Sequence, residues 1–382
     1  MDYMEFAESV KAKYNVDHIW SFSKLNSFSQ DPYEWYLKYI LKEPSDKDGQ
    51  NAYGVYGNMV HDIMEDYYNG KIARDECLDV FKQKWEELSL LNLRFNYVDD
   101  ASEKRLKERY YVDLVDFFKN FATIGQEHEC EVPIDVLLEN KKGREVFFGY
   151  IDFLSHQNGK YYIIDYKTST IYAKNKMEEH ARQLLLYAIG LRQREGCKAE
   201  DIKIGWNFLK YVTVVERLKS GGTKERNVER CELVSKLEVS IKKWLKNYSY
   251  SEDLFEQAKA TNDFYSLPSE VTDKFTFHDC ILTVDFNTDI EVKTIDSLIE
   301  ECNKINSIVA EYNKTQDDSL FMWEPTARDE FWLYNLCSYS SNLHKPFKKY
   351  LEEKERAASE TSWLDKTEAK EEDPLAGFFN SL

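Results

Sequence analysis

Tyr161-Tyr162-Ile163-Ile164-Asp165-Tyr166-Lys167 is the stretch from which the fold can be read. Apolar and aromatic residues fill it as far as Ile164, and two charges close it. A short apolar run bounded by turn residues reads as a buried central strand. Side chains alternate along a strand, so Asp165 and Lys167 leave one face and Tyr166 the other. Charge at the end of such a strand costs several kcal/mol of desolvation unless partners or a metal compensate.

Working backwards, Gln157-Asn158-Gly159 forms a tight turn into a second apolar segment, Glu145–Leu154, which carries Asp152. Lys141-Lys142-Gly143 then turns into a third, Glu131–Leu138. If the Asp152 and Asp165 strands are antiparallel neighbours, their carboxylates meet. Two such carboxylates repel unless a divalent cation lies between them. Lys167 beside that cation can orient or deprotonate a water, or offset charge on a scissile phosphate. On these residues alone two readings stay open: metal-assisted phosphodiester chemistry, and a buried structural ion-pair cluster.

Around this core the periodicity is helical. Ser23 is placed to cap a short helix, and Pro32 to open the next as its first residue. A helix is expected over Gly57–Tyr68, and a helical region over 72–122, where Leu106, Tyr110, Leu114 and Phe117 recur at helical spacing. Downstream come a helix at 174–194, a long strand at Ile202–Arg217 turned back by Ser220-Gly221-Gly222-Thr223 toward 226–234, and a helical region at 234–262. A strand at 280–286, a helix at 294–314 and a last helical stretch to about 355 complete the reading. Trp20, Tyr33, Trp35 and Tyr36 suit core packing better than stacking on bases.

The chain has 382 residues, enough for a substantial core, and a formal net charge of −18. That charge argues against coating nucleic acid through the bulk field, but a substrate feels only charges within a Debye length, about 8 Å at physiological salt. Any DNA contact must therefore be local. Seven scattered cysteines without a CxxC pair indicate neither a zinc knuckle nor a disulfide framework, and fit a reducing compartment. No apolar run is long enough to span a bilayer, and the N-terminus lacks the pattern of a signal peptide, so a cytoplasmic protein without a membrane partner is expected.

Several motifs, in order, resemble the PD-(D/E)XK nuclease superfamily. Gly149-Tyr150-Ile151-Asp152, Ile164-Asp165-Tyr166-Lys167-Thr168-Ser169 and Gln183-Leu184-Leu185-Leu186-Tyr187 are similar to its RecB-like branch, and Gln183 and Tyr187 fall at i and i+4 on one helical face. Gly57-Asn58-Met59-Val60-His61 resembles the upstream histidine element of that branch, Glu131-Val132-Pro133-Ile134 its first-strand motif, and Ser21–Tyr39 its opening element. The resemblance implies a restriction-endonuclease-like α/β fold, a mixed sheet flanked by helices with helical insertions. It implies that His61, Asp152, Asp165 and the backbone carbonyl of Tyr166 bind Mg²⁺ or Mn²⁺, with Glu131 a supporting acid. Lys167 would act on the water or phosphate, and Gln183 and Tyr187 would position the site or the DNA backbone.

Residues 1–356 are expected to form one nuclease domain, with a helical elaboration at 57–125, the catalytic core at 127–235 and a mainly helical part at 236–356. The function expected is metal-dependent DNA hydrolysis at ends or flaps in replication, recombination or repair, by a stand-alone, phage-type relative. A catalytically inactive DNA- or protein-binding module is the rival; retention of His61, Asp152, Asp165 and Lys167 argues against it. Asp31 stands where cluster-bearing relatives have cysteine and only Cys337 falls near their C-terminal triplet, so no iron–sulfur cluster is expected, since four thiolates are needed. Packing by Phe331, Trp332, Leu333 and Tyr334 would close the fold instead. No phosphate-binding GKT or GKS loop is present, which excludes a helicase motor.

Two peripheral features complete the expectations. Lys141, Lys142, Arg144, Lys174, Lys176 and Arg182 would line a DNA path. Residues 357–382 read as an acidic tether, and its end, with Leu375, Phe378 and Phe379, resembles a sliding-clamp-binding peptide in which Glu372 replaces the usual glutamine.

Overall fold

The computed structural model describes residues 3–45, 52–91, 93–95, 99–125, 127–323, 326 and 336–339. The expected helical stretch through 355, the packing role of Phe331–Tyr334, and the tail peptide with Leu375, Phe378 and Phe379 lie outside the described residues.

In chain order the opening helices are α1 (Tyr3–Tyr14), α2 (Phe22–Gln30) and α3 (Pro32–Tyr36), the last running on through a π-helical turn, Leu37–Leu41. Three helices follow: α4 (Ala52–Tyr68), α5 (Cys77–Ser89) and α6 (Asp100–Asn120). Then come β1 (His128–Asn140), β2 (Gly143–Gln157), β3 (Lys160–Lys167), α7 (Met177–Glu195), β4 (Ile202–Arg217) and β5 (Thr223–Glu229). The remainder is α8 (Leu233–Lys236), α9 (Glu238–Asn247), α10 (Asp253–Thr261), α11 (Ser269–Thr272), β6 (Phe275–Val284) and α12 (Thr288–Thr315).

Local chemistry explains several boundaries. Ser21, not Ser23, caps α2: its hydroxyl accepts the Lys24 N–H at 3.2 Å, because Ser21 is the residue held in extended conformation ahead of the first turn. Asp31 caps α3 by accepting from Tyr33 N and Glu34 N, with Pro32 as the first helical residue. Asp99 and Asn287 cap α6 and α12, which lets α12 start at Thr288, earlier than its apolar periodicity indicates. β6 also starts earlier than expected, at Phe275. Its exposed and buried residues alternate, so its polar half reads as a loop from sequence.

The six strands form one mixed sheet flanked by helices, a restriction-endonuclease-like α/β fold as expected. β1–β2–β3 is an antiparallel meander, β3 and β4 are parallel, and β5 and β6 pair antiparallel with β4. α7 makes the crossover that a parallel pair requires. One face of the sheet packs against α7, α12, α2 and α3 through Ile134, Val136, Ile163, Ile204 and Trp206. Trp20, Tyr33, Trp35 and Tyr36 are buried in this core, where no base could reach them. The opposite face carries Phe153, Ile164, Tyr166 and Leu209 against α4, α5 and α6. The far half of β4 has its own core with α8–α11, and α1 packs on Val146 and Phe148. Because both faces are covered, Ile163 and Ile164 are both buried, which explains the apolar run in β3.

Candidate metal centre and nuclease site

The β2–β3 register pairs Phe153 with Ile164, so the next pair along it is Asp152 with Asp165. On the other side of β2, the register puts Glu131 opposite Asp152, between the pairs Cys130–Phe153 and Val132–Ile151. Three acidic residues therefore stand on three adjacent strands. Glu131 has φ 49°, a left-handed conformation rare for a side chain this long, in the middle of a strand. The in/out alternation changes phase at that point. Val132 and Ile151 face α7, whereas Cys130 and Phe153, two residues away, face α4–α6. Strict alternation would keep each pair on one face. The break places Glu131 and Asp152 at the seam between the two faces.

His61 reaches this seam from α4. Its Nε2 is 2.8 Å from the Tyr166 carbonyl and its Nδ1 is 3.3 Å from Asp152 Oδ2. One ligand-capable atom from each of His61, Glu131 and Asp152 lies within 4.8 Å of the others. Asp165 and Lys167 share a face, as strand alternation requires, and Lys167 Nζ is 2.7 Å from Asp165 Oδ2. Tyr166 points the other way, into the α4–α6 core.

The electrostatics follow from burial and crowding. Burial, then the neighbouring Asp165, pushes the Asp152 carboxyl well above the usual carboxylate range. Burial also raises Glu131, with Glu65 and Asp62 adding to it. Burial alone would depress the Lys167 ammonium, but Asp165 and Asp152 outweigh it and hold the lysine firmly charged. Burial lowers His61, so its imidazole is neutral and has a lone pair to offer.

α7 supplies the roof. Gln183 Nε2 donates to Tyr187 Oη at 3.1 Å, one turn apart. Burial pushes the Tyr187 phenol up to about 12, so it is neutral and able to donate. Gly149 makes room for the ring: a Cβ there would lie 2.5 Å from Tyr187 Oη and 2.9 Å from two ring carbons.

The basic residues divide. Lys174 and Lys176 form an exposed single turn just after β3, and burial, with Lys176 adding to it, depresses His180. Arg182 ion-pairs with Glu301 on α12. Lys141, Lys142 and Arg144 sit at the β1–β2 turn, eight to eleven residues from Asp152 and so at most roughly 26–36 Å away at ~3.3 Å per residue. Lys142 is paired there with Glu300 at 3.0 Å. The fold does not bring that group to the acidic cluster.

Sequence reading missed Tyr172 and His180. Their rings stack at 3.7 Å and 13° beside Lys167, Tyr172 also standing edge-on to Trp206 and Phe208. One lies in a loop and the other in the first turn of α7, so no periodicity marked them. Asp31, in the position of the absent cluster cysteine, accepts from Trp323 Nε1 at 2.9 Å and lies 3.8 Å from the Cys337 thiol, so hydrogen bonds tie Trp323 and Cys337 to the start of α3.

The acids fit a divalent cation. Asp152 Oδ2 is buried and has no hydrogen-bond partner among the described residues, although it faces His61. A carboxylate oxygen in that state is expensive unless a cation joins it. Hard oxygen donors with one imidazole suit Mg²⁺ or Mn²⁺.

A mixed sheet with acids on adjacent strands, a lysine two residues beyond one of them and a histidine from the facing helix defines a metal-dependent nuclease architecture. A profile of the PD-(D/E)XK nuclease superfamily matches residues 19–270, and the chain belongs to that superfamily. Its members are typically nucleases that use divalent metals. No curated protein sequence matches the chain. Among the described residues no helix is long and apolar enough to cross a membrane.

Proposed function

We propose that this protein is a deoxyribonuclease of the RecB-like branch that hydrolyses phosphodiester bonds at DNA ends or flaps, with Mg²⁺ or Mn²⁺ as its metal, in replication, recombination or repair. The observation carrying this reading is the orphaned, buried Asp152 Oδ2 beside His61 and Glu131, with Lys167 held against Asp165 one strand away. His61, Asp152, Asp165 and the Tyr166 carbonyl would hold the cation, with Glu131 supporting them. When bound, the metal supplies a water of lowered pKa and a Lewis acid for the phosphoryl oxygen.

The residues of the chain do the rest. Asp165 keeps Lys167 charged and fixed at 2.7 Å, so its ammonium is available to offset negative charge building on the phosphate. The neutral Tyr187 hydroxyl, steadied by Gln183, is a donor for a backbone phosphate oxygen or a neighbouring carboxylate. Lys174 and Lys176, on the exposed turn after β3, and the Tyr172–His180 stack beside Lys167 would contact a strand entering there. This supports local DNA capture by a chain that is acidic overall. The tail peptide with Leu375, Phe378 and Phe379 suits a sliding clamp.

The test is an end-labelled assay on single-stranded, duplex and flapped DNA with Mg²⁺ or Mn²⁺. Cleavage should require metal, and Asp165→Ala and Lys167→Ala should each lower it at least 10²-fold while DNA binding persists. Wild-type protein that binds DNA but cuts no form in either metal would instead identify an inactive nuclease-fold binding module.

A further inference from the structure

A second cluster of ligand-capable groups joins α6 to the end of β5, and the catalytic reading uses none of it. Asp113 on α6 is completely buried. Its Oδ1 accepts the Cys231 N–H at 2.7 Å, while its Oδ2 has no hydrogen-bond partner among the described residues. The Cys231 thiol and a Glu229 carboxylate oxygen lie with an Asp113 oxygen inside a mutual 4.8 Å. A thiol and two carboxylates thus converge on one point, and the most deeply buried oxygen among them is unspent.

Arg109 binds Glu229 Oε2 at 2.6 Å and Glu232 Oε1 at 2.7 Å, Lys236 lies 3.4 Å from Glu232 Oε2, and Lys210 acts on Asp113. Three carboxylates therefore face three cations while the thiol keeps its proton. Burial pushes Asp113 up to about 7, the Glu229 charge adding to it while the hydrogen bond from Cys231 N–H pulls the other way; burial, then Asp113 and Glu229, push the Cys231 thiol up.

We propose that Asp113, Glu229 and Cys231 form a structural site for a divalent ion of borderline softness, Zn²⁺ being the natural occupant, which clamps α6 to the sheet. Thiolate sulfur and carboxylate oxygen are both zinc donors, and three protein ligands leave a fourth position for water. The thiolate selects against Mg²⁺, so this site and the catalytic one prefer different metals. On binding, a zinc–sulfur bond forms as the S–H bond breaks, and the proton leaves to solvent; a protonated Asp113 releases a second.

The full chain carrying Asp152→Ala, which weakens the catalytic cluster, is stripped with chelator and titrated with Co²⁺. A near-ultraviolet thiolate-to-cobalt band should grow to one equivalent and be displaced by Zn²⁺. It should vanish in Cys231→Ser and persist in Cys337→Ser, whose thiol lies in the other acidic cluster near Asp31 and Glu34. No band in the parent chain, or a band that survives Cys231→Ser, overturns the proposal. If Cys231→Ser does not fold, Glu229→Gln decides: Zn²⁺ affinity should fall at least tenfold and the Zn²⁺-induced rise in Tm should shrink with it. An undiminished rise in Glu229→Gln also overturns the assignment.

Discussion

Replacing Asp152 by asparagine should make the metal-free protein more stable and the enzyme inactive. The Asp152 carboxylate lies within 4.8 Å of a Glu131 oxygen and stands opposite Asp165 in the β2–β3 register. Two unit charges at that separation repel by about 3.5 kcal/mol at an effective dielectric of ~20. Lys167 returns part of this, and Asp152 escapes the rest by holding a proton it would release when unfolded. Asparagine removes the charge, and its amide can donate to Asp165, so a net gain of about 1–2 kcal/mol is expected. For a chain of this length that is a rise of about 1–3 °C in Tm, readable by calorimetry in chelator.

The pH dependence follows from the same raised group. A folded-state value above the ordinary 3.8 means the folded protein binds the proton more tightly than the unfolded chain. Wild-type stability contributed by this site is therefore present below about 3.8 and is lost as pH rises through the raised folded value. The loss should disappear in Asp152→Asn, and also in wild type saturated with Mg²⁺. A metal-free Asp152→Asn that melts below wild type, or one that Mg²⁺ stabilises as much as wild type, would refute the crowded-carboxylate account.

Two further substitutions test the scaffold. Gly149→Ala drives a methyl to 2.5 Å from Tyr187 Oη, so it should cost about 1–3 kcal/mol in urea denaturation and lower activity; Tyr187→Phe in the same chain should recover part of the stability by removing the nearest atom. Arg230 is buried, donates to Leu209 O at 2.9 Å and pairs with Asp116 at 2.9 Å and Asp279 at 3.1 Å. Arg230→Met leaves the partly buried Asp279 without its ion-pair partner and should cost about 3–5 kcal/mol, which adding Asp279→Asn should partly restore; a loss under about 1 kcal/mol would show the pair to be dispensable.

The three-stranded meander, the α7 crossover and the long strand from Ile202 to Arg217 were legible because their signals are local. Apolar runs mark strands buried on both faces, Gly-containing turns separate them, and strand alternation alone puts Asp165 and Lys167 together. Their pairing with Asp152 followed from one tight turn, which fixes the neighbour and nearly fixes the register. The helix caps were harder: Ser21 and Ser23 have the same chemistry, and only the backbone conformation ahead of the helix chooses between them.

What the sequence by itself determined is therefore the strand ending in Asp165-Tyr166-Lys167 and the acid beside it. Tertiary structure alone decided the third dimension of the site. The left-handed backbone at Glu131 shifts the phase of β1 and β2, and α4 folds across the sheet to bring His61 onto the Tyr166 carbonyl. It also decided which charges are absent: the Lys141–Arg144 turn lies near Asp152 in number but at the far end of a long hairpin. Periodicity records which face a residue takes. It cannot record a break in that alternation, or how far a rigid hairpin carries one residue from another.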